Sequence, residues 1–211
     1  MIEDIKNYQA EERLKNGQPV TVRAIRADDK EKISRAFYNL EKESVYTRLF
    51  SHKTELTEGD LKRITEIDFE KEVGLVVTRE IEAEEVIIGS GRYFVFAGTD
   101  GERHAEVAFM VEEDYQGQGL ARTIMRHLAA IARSRGIGYF DAEVLPENKA
   151  MLAAFARSGL PMTQHYGGDV VHVTLTLLGR FANRPNGHCP HGNSGQGNRP
   201  KKPASKRNTQ L

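Results

Sequence analysis

The feature that most constrains the fold is the stretch from Val111 to Met125, VEEDYQGQGLARTIM, where a polar turn with two glycines leads directly into a helix pattern. Apolar side chains then recur at the spacing of one helix face, at Leu120, Ile124, Leu128 and Ile131. The pattern predicts a helix packed against a core and ended by Gly136. This helix begins without the Ser, Thr, Asp or Asn that usually caps one, so the glycine turn needs another explanation.

Segments with strand and helix patterns alternate along most of the chain. Strand patterns occur at 20–25, 72–79, 85–96, 105–111, 138–145 and 169–177. Helix patterns occur after Asp28 and Asp29, which offer acidic caps, and at 44–51, 57–67, 120–135 and 149–160. Glycines at 89 and 91 predict a bulge or turn within one strand. The alternation predicts an α/β fold, with helices packed on a largely central sheet.

The ends of the chain differ from this body. Residues 1–18 are polar and close on a turn cluster, which predicts a leader helix or a loose arm before a domain at 19–179. Basic and acidic residues balance at 30 each, but seven basic residues and no acidic residue follow Asp169. Residues 180–211 combine this positive charge with very few apolar side chains, which predicts a disordered basic tail.

Several classes of protein are disfavoured by composition. The single cysteine, Cys189, forbids an internal disulfide and favours a cytoplasmic location, and no apolar run is long enough to span a membrane. The balanced charge gives no indication of nucleic-acid binding. His188, Cys189 and His191 suggest a metal site, but three ligands in such a tail fit a solvated segment better, so no metal is expected.

The glycine turn has two interpretations. Gly117 and Gly119 can simply make a tight connection between a strand and a helix. Alternatively, they remove the Cβ atoms that would keep a phosphate from the free N–H groups and the positive dipole end of the helix. The spacing fits neither the Rossmann fingerprint, because position 122 is Arg, nor a P-loop.

The segment Gln116-Gly117-Gln118-Gly119-Leu120-Ala121 resembles the Q/R-x-x-G-x-G/A acetyl-CoA signature of the GNAT N-acetyltransferase superfamily. The stretches at 143–160 and 20–29 are similar to further blocks of that family, in particular to bacterial protein lysine acetyltransferases that modify acyl-CoA synthetases. The resemblance covers residues 20 to about 178. It implies a three-layer GNAT fold with a mixed central sheet, helices on both faces, and two strands that separate to form an acetyl-CoA slot.

The resemblance also implies positions for the coenzyme. Pantetheine is expected against main-chain groups of Phe109, Met110 and Val111, with the pyrophosphate on the turn from Gly117 to Arg122. Asn148 precedes a helix, where it is either an N-cap or a pantetheine contact. Phe155 stands where many family members have a Tyr that acts as general acid, so Phe155 is expected to pack, also against the cofactor. Without that acid, the CoA thiolate would take its proton from solvent or from the departing ammonium.

Glu106 is the candidate general base. Strand alternation places His104, Glu106, Ala108 and Met110 on one face, where apolar neighbours would raise the pKa of a carboxyl group. An exposed strand residue is the alternative, but the family resemblance implies a catalytic Glu in this strand. His104 is the substitute base. Tyr46, Arg48 and Phe50 are candidates for the acceptor side, although a spacing of two does not place them on one helix face.

These observations predict an acetyl-CoA-dependent N-acetyltransferase that acts on a protein lysine by direct attack in a ternary complex. Two alternatives remain: an enzyme for small amines such as polyamines, because the acidic body attracts cations, and a CoA-binding regulator without turnover. The expected partner is an amine-bearing protein or small molecule, with no nucleic acid and no membrane. The sequence does not define the oligomeric state.

Overall fold

A computed structural model of the chain describes residues 4–38 and 56–178. The helices are α1 (Lys30–Tyr38), α2 (Glu58–Thr65), α3 (Leu120–Ser134) and α4 (Lys149–Ala156). The strands are β1 (Gln9–Arg13), β2 (Pro19–Ala24), β3 (Glu72–Ile81), β4 (Glu84–Ala97), β5 (Arg103–Val111), β6 (Tyr139–Val144), β7 (Met162–Gly167) and β8 (Val170–Thr176). The predicted helix at 44–51, with Tyr46, Arg48 and Phe50, lies outside the described residues, as do Leu40 and the tail from 180 to 211.

The eight strands form one sheet in the order β1-β2-β3-β4-β5-β6-β8-β7. Neighbouring strands are antiparallel except β5 and β6, which are parallel. The connection from β5 to β6 contains α3, as a parallel connection requires a crossover. The sheet is therefore mixed, and the one parallel pair among these eight strands falls at the place where the coenzyme slot was predicted.

Helices cover both faces of the sheet. On one face α3 packs against inward-facing side chains of the central strands, such as Tyr93, Val107 and Phe140. On the other face α1 packs on β3 and β4 through a smaller cluster that includes Ile33, Val76 and Ile87. This arrangement confirms the predicted three-layer α/β fold with a mixed sheet.

Helix α3 has the predicted buried stripe. The four stripe residues are almost completely shielded from solvent, which stabilises the helix by roughly 1.5–3 kcal/mol for each large side chain. Gly91 of β4 allows the close approach, because a Cβ there would lie only 2.4 Å from a methyl carbon of Ile124. Gly136 follows the helix with φ of 71°, the left-handed conformation that ends helices.

The predicted irregularity in β4 is a bulge. Val77 of β3 pairs with Gly89, but the next residue, Thr78, pairs with Ile87, so Ile88 is the extra residue. The strand continues through the bulge from Glu84 to Ala97. A predicted capping box is also present, with Thr57 Oγ1 accepting from the Asp60 N–H at the start of α2.

The N-terminal segment differs from its prediction. Residues 9–13 form the edge strand β1, which pairs with β2, rather than a helix or a loose arm. Its polar side chains dock on α3: Glu12 accepts from Arg126 Nη2 at 2.7 Å and contacts His127 Nε2 at 3.0 Å. The Tyr8 hydroxyl lies 2.5 Å from His127 Nδ1. The sheet therefore begins at Gln9, before the strand pattern at 20–25 that the sequence indicated as the first strand.

A buried ion network fixes the start of α1. The Arg23 guanidinium bonds both carboxylate oxygens of Asp29, at 2.8 and 2.7 Å, and the two side chains are only 2% and 1% exposed. Asp29 also accepts from the Arg26 N–H, so it does cap the helical segment. Glu85 contacts the same guanidinium, and this hydrogen bond lowers the pKa of Glu85 to about 2.

Replacing Asp29 by Asn is expected to reduce the free energy of unfolding by about 3 kcal/mol, because it leaves the buried Arg23 charge with one carboxylate fewer. Asp28→Asn, at the adjacent exposed position, is the matched control and is expected to change stability by at most about 0.5 kcal/mol. Urea denaturation measures both. Equal stability of the two variants would contradict a structural role for the network.

Candidate active site

The central feature of the site is the separation of β5 from β6. The two strands pair at His104 with Tyr139, at Ala105 with Phe140 and at Glu106 with Asp141. Beyond these pairs β5 continues to Val111 and β6 to Val144 without pairing to each other. The predicted slot is therefore confirmed, and Glu106 lies at its vertex.

The peptide groups of β5 alternate between the slot and β4. The Glu112 N–H donates to Ile88 O on the β4 side at 3.1 Å. By the alternation of an antiparallel ladder, Phe109 and Val111 direct their peptide groups to the slot, while Met110 directs its own to β4. The predicted main-chain contacts at Phe109 and Val111 thus lie on the slot side, whereas Met110 has only its side chain to offer.

The glycine turn lies at the far end of β5. Gly117 and Gly119 have φ of 73° and 91°, a conformation that costs little only for glycine. Gly119 is the N-cap of α3 and supplies no side-chain cap. The first helical bond of α3 runs from the Thr123 N–H to Gly119 O, so the N–H groups of Leu120, Ala121 and Arg122 have no acceptor within the helix. This geometry fits a pyrophosphate.

The side chains of the turn divide into two groups. Leu120 is buried in the core, and the partly buried Ala121 packs against it, so these two residues offer mainly their N–H groups. Gln116 is exposed and Gln118 is half-buried. A Cβ at Gly117 would meet no atom within 4 Å, which leaves this side of the turn open. The predicted residues Gln116 to Arg122 therefore form one continuous surface of turn and helix start.

Glu106 has the electrostatic environment of a base. The side chain is open to solvent, yet surrounding protein still desolvates the carboxyl group and raises its pKa. The neighbouring carboxylates of Glu143 and Asp141 raise the pKa further, while Arg92 opposes them. The predicted upward shift of the pKa is present, and desolvation is its largest cause, with the two carboxylates adding to it.

His104, the predicted substitute base, is bound by two carboxylates. Its Nδ1 lies 2.5 Å from Asp141 Oδ2, and its ring stacks on Tyr139 with the centroids 4.6 Å apart. Burial alone would lower the pKa of His104, but the contacts with Asp141 and Asp100 outweigh it and raise the pKa. The contacts with Asp141 and Asp100 favour the charged form of His104, which has no lone pair to accept a proton, so they favour Glu106 over His104 as the base.

Asn148 and Phe155 lie on α4. Asn148 Oδ1 accepts from the Met151 N–H at 3.0 Å, so the N-cap interpretation is confirmed. Only its amide nitrogen is left to contact a ligand. Phe155 is 1% exposed and packs edge-on against Phe109, with centroids 5.9 Å apart. Its predicted packing role is confirmed, while the cofactor contacts of both residues stay predictions.

Sequence reasoning missed three residues near the site. Asp141 and Glu143 of β6 lie on the same face of the sheet as Glu106 of β5. Strand alternation together with parallel pairing of the two strands could have indicated this. Lys15 contacts the glycine turn through Gly117 O. No local pattern marks Lys15, because the contact joins residues 102 positions apart.

The described residues hold neither a metal cluster nor a membrane-spanning helix. Among residues 4–38 and 56–178, no three His, Cys, Asp or Glu side chains are grouped so as to hold a metal ion. No helix within those ranges is long and apolar enough to cross a membrane.

Gly117→Val is expected to weaken CoA binding at least tenfold, about 1.4 kcal/mol, because a β-branched residue cannot keep the positive φ that shapes the turn. Gly136→Val is the matched control: its φ of 71° is nearly the same and its Cβ side is equally open, but it lies at the opposite end of α3. Calorimetry measures both. Equal affinity losses would remove the turn from the CoA site.

Comparison with known proteins identifies relatives of this chain. Residues 32–160 match the family model described as the acetyltransferase (GNAT) family. An acetyltransferase of Pseudomonas aeruginosa is 32% identical over 143 residues, which cover 66% of this chain and 74% of the relative. Acetyltransferase Pat of Mycolicibacterium smegmatis is 30% identical over 146 residues, which cover 69% of this chain but only 42% of Pat.

A solved structure agrees with these matches. The GNAT domain of PAT from S. lividans superposes with a TM-score of 0.71 at 34% identity, covering 80% of this chain and 96% of that domain. The family match covers more than half of the chain, and the two sequence relatives and the shared fold support the same family. The chain therefore belongs to the GNAT family of acetyltransferases and is an acetyl-CoA-dependent acyltransferase.

Proposed function

We propose that this protein transfers the acetyl group of acetyl-CoA to the side-chain amine of a protein lysine, by direct attack in a ternary complex with Glu106 as general base. The observation that carries the proposal is the position of Glu106, a carboxylate with a raised pKa at the vertex of the β5–β6 slot. Similarity to Pat and to the S. lividans PAT domain supports a protein acceptor.

The slot accounts for coenzyme binding. Phe109 and Val111 direct peptide groups toward a pantetheine arm that lies as an extra strand. The turn from Gly117 to Arg122 binds the pyrophosphate, with the N–H groups of Leu120, Ala121 and Arg122 among its donors. From Glu106 to Val111 the strand rises about 17 Å, at about 3.4 Å for each residue. This length supports an arrangement in which the acyl end of an extended arm lies beside Glu106 and the phosphates lie at the turn.

The acceptor amine needs a base. A free lysine has a pKa near 10.4, so only about one part in 2,500 is neutral at pH 7, and removing its proton costs about 4.6 kcal/mol. Glu106 accepts this proton first, and the neutral amine nitrogen then bonds to the acetyl carbon to form a tetrahedral intermediate. The carbon–sulfur bond breaks as this intermediate collapses, and the nitrogen loses a second proton. Since Phe155 is buried and has no acidic proton, the departing thiolate takes its proton from solvent or from the ammonium itself.

The surface around Glu106 suits a cationic acceptor. Asp141 and Glu143 extend the negative charge along β6 beside Glu106, and an ammonium is attracted to such a row before it loses its proton. The same charge would also attract a small polyamine, so the charge alone does not separate a protein substrate from a small one.

Labelled acetyl-CoA separates these acceptors. The purified protein is incubated with a cell lysate and, separately, with spermidine, and mass spectrometry locates the acetyl group. The proposal predicts label on lysine Nζ of lysate protein. Label on spermidine alone would make the protein a small-amine acetyltransferase, and bound CoA without any transfer would make it a regulator.

Glu106→Gln is expected to lower turnover by about 10²–10⁴ while CoA affinity holds, because the substitution keeps the shape of the side chain and removes the base. The acidic limb of the pH–rate profile should flatten, because the group that must lose its proton is gone. Steady-state kinetics across pH, with CoA affinity measured by calorimetry, check both statements. Near-normal turnover at neutral pH would remove Glu106 from the mechanism.

Glu143→Gln is the matched variant for this test. The Glu143 carboxylate raises the pKa of Glu106, so its neutralisation should lower that pKa and move the acidic limb toward lower pH. Turnover above the limb should remain within a few-fold of the wild type. An unmoved limb would mean that Glu106 is not the group that titrates.

A further inference from the structure

Lys15 lies in the loop between β1 and β2 and reaches across the glycine turn. Its ammonium donates to Gly117 O at 2.9 Å, and its own backbone N–H donates to Gln118 O at 3.3 Å. Its methylene chain passes close to Gly119, where a Cβ would lie 3.6 Å from Lys15 Cε. A single residue therefore binds two successive carbonyl groups of the turn.

These two bonds fix the direction of the N–H groups in the turn. In a trans peptide, a carbonyl and the N–H of the next residue point in opposite directions. Because the carbonyls of Gly117 and Gln118 point toward Lys15, the N–H groups of Gln118 and Gly119 are directed away from it. The Gln118 N–H donates to Tyr115 O at 3.4 Å within the turn, so the donor that this geometry prepares for a ligand is the Gly119 N–H. The turn thus keeps its acceptors on one side and its donors on the other.

The loop that carries Lys15 is itself firmly placed. Leu14, the preceding residue, is buried in the main core. Glu12 of β1 is bound to Arg126 and His127 of α3. On the other side of the loop, the Arg79 guanidinium donates to Gln18 Oε1 and to the Tyr115 hydroxyl, just before the turn. Lys15 is therefore presented to the turn from a rigid support.

We propose that Lys15 is a positioning residue for the coenzyme: it holds the glycine turn in the shape that binds the pyrophosphate. The inference rests on the proposed CoA site. Orienting the N–H groups before the ligand arrives removes an ordering cost from binding, and the nearby ammonium also offsets part of the phosphate charge. The group that the turn binds is the pyrophosphate of CoA, so Lys15 is expected to strengthen binding of that part of the ligand and not of the pantetheine arm.

Lys15→Met tests the proposal, because methionine keeps the unbranched chain beside Gly119 and removes the ammonium. The dissociation constant for CoA is expected to increase about tenfold by calorimetry. Binding of pantetheine, which has the arm but no pyrophosphate, is expected to stay unchanged. Lys15→Arg should restore CoA affinity to within about threefold, because a guanidinium also donates to a carbonyl.

Lys6→Met is the matched control, since Lys6 is an exposed lysine of the same N-terminal segment. It should bind both ligands as the wild type does. Unchanged CoA affinity in Lys15→Met would overturn the proposal, and so would equal losses for CoA and pantetheine, which would indicate general damage to the fold. Wild-type protein that fails to bind CoA would overturn the coenzyme site itself, and this inference with it.

Discussion

The pairing between β5 and β6 ends at Glu106 and Asp141, and the rest of the site depends on this end point. Each strand is held on its other side by an antiparallel neighbour: β5 by β4 from Arg103 to Val111, and β6 by β8 from Tyr139 to Val144. The sheet is thus two separately stabilised halves that are joined at three residue pairs. A slot built in this way exists before any ligand enters it, which lowers the cost of ordering on binding.

The two ends of the slot are linked through one strand. Glu106 lies within β5, and the residues that lead into the glycine turn follow β5 directly. The distance between the base and the anion site is therefore set by strand geometry. Helix α3 fixes the turn, because its buried stripe docks on β4 where Gly91 permits close approach. Strand β1 contacts α3 through Glu12, and the loop after β1 contacts the turn through Lys15.

The sequence predicted the parts of the fold that have a strong apolar period. Helix α3 and strand β5 each bury one face, so their residues alternate clearly and Glu106 could be placed on the correct face. Strands β1 and β7 were missed because they are the two edges of the sheet. Their side chains are largely exposed, and an edge strand of this kind has no apolar alternation to detect.

The candidate site shows the same division. The turn from Gln116 to Ala121 is continuous in sequence, so its anion-binding shape was predictable from the glycines and the helix that follows. The role of Lys15 was not predictable, because its contact with Gly117 O depends on the docking of β1 on α3. Strand alternation gives the face of Asp141, but its proximity to Glu106 depends on the parallel register of β5 and β6, which is a tertiary feature.

The central claim is that the β5–β6 slot and the adjoining turn hold the coenzyme. Amide hydrogen exchange, measured with and without saturating CoA, tests this most directly because it reports individual peptide groups. The account predicts slower exchange at residues 107–111 and 117–122 in the presence of CoA, with little change in the edge strand β7. If CoA binds at saturation and the amide exchange rates of both segments do not change, the central claim is contradicted.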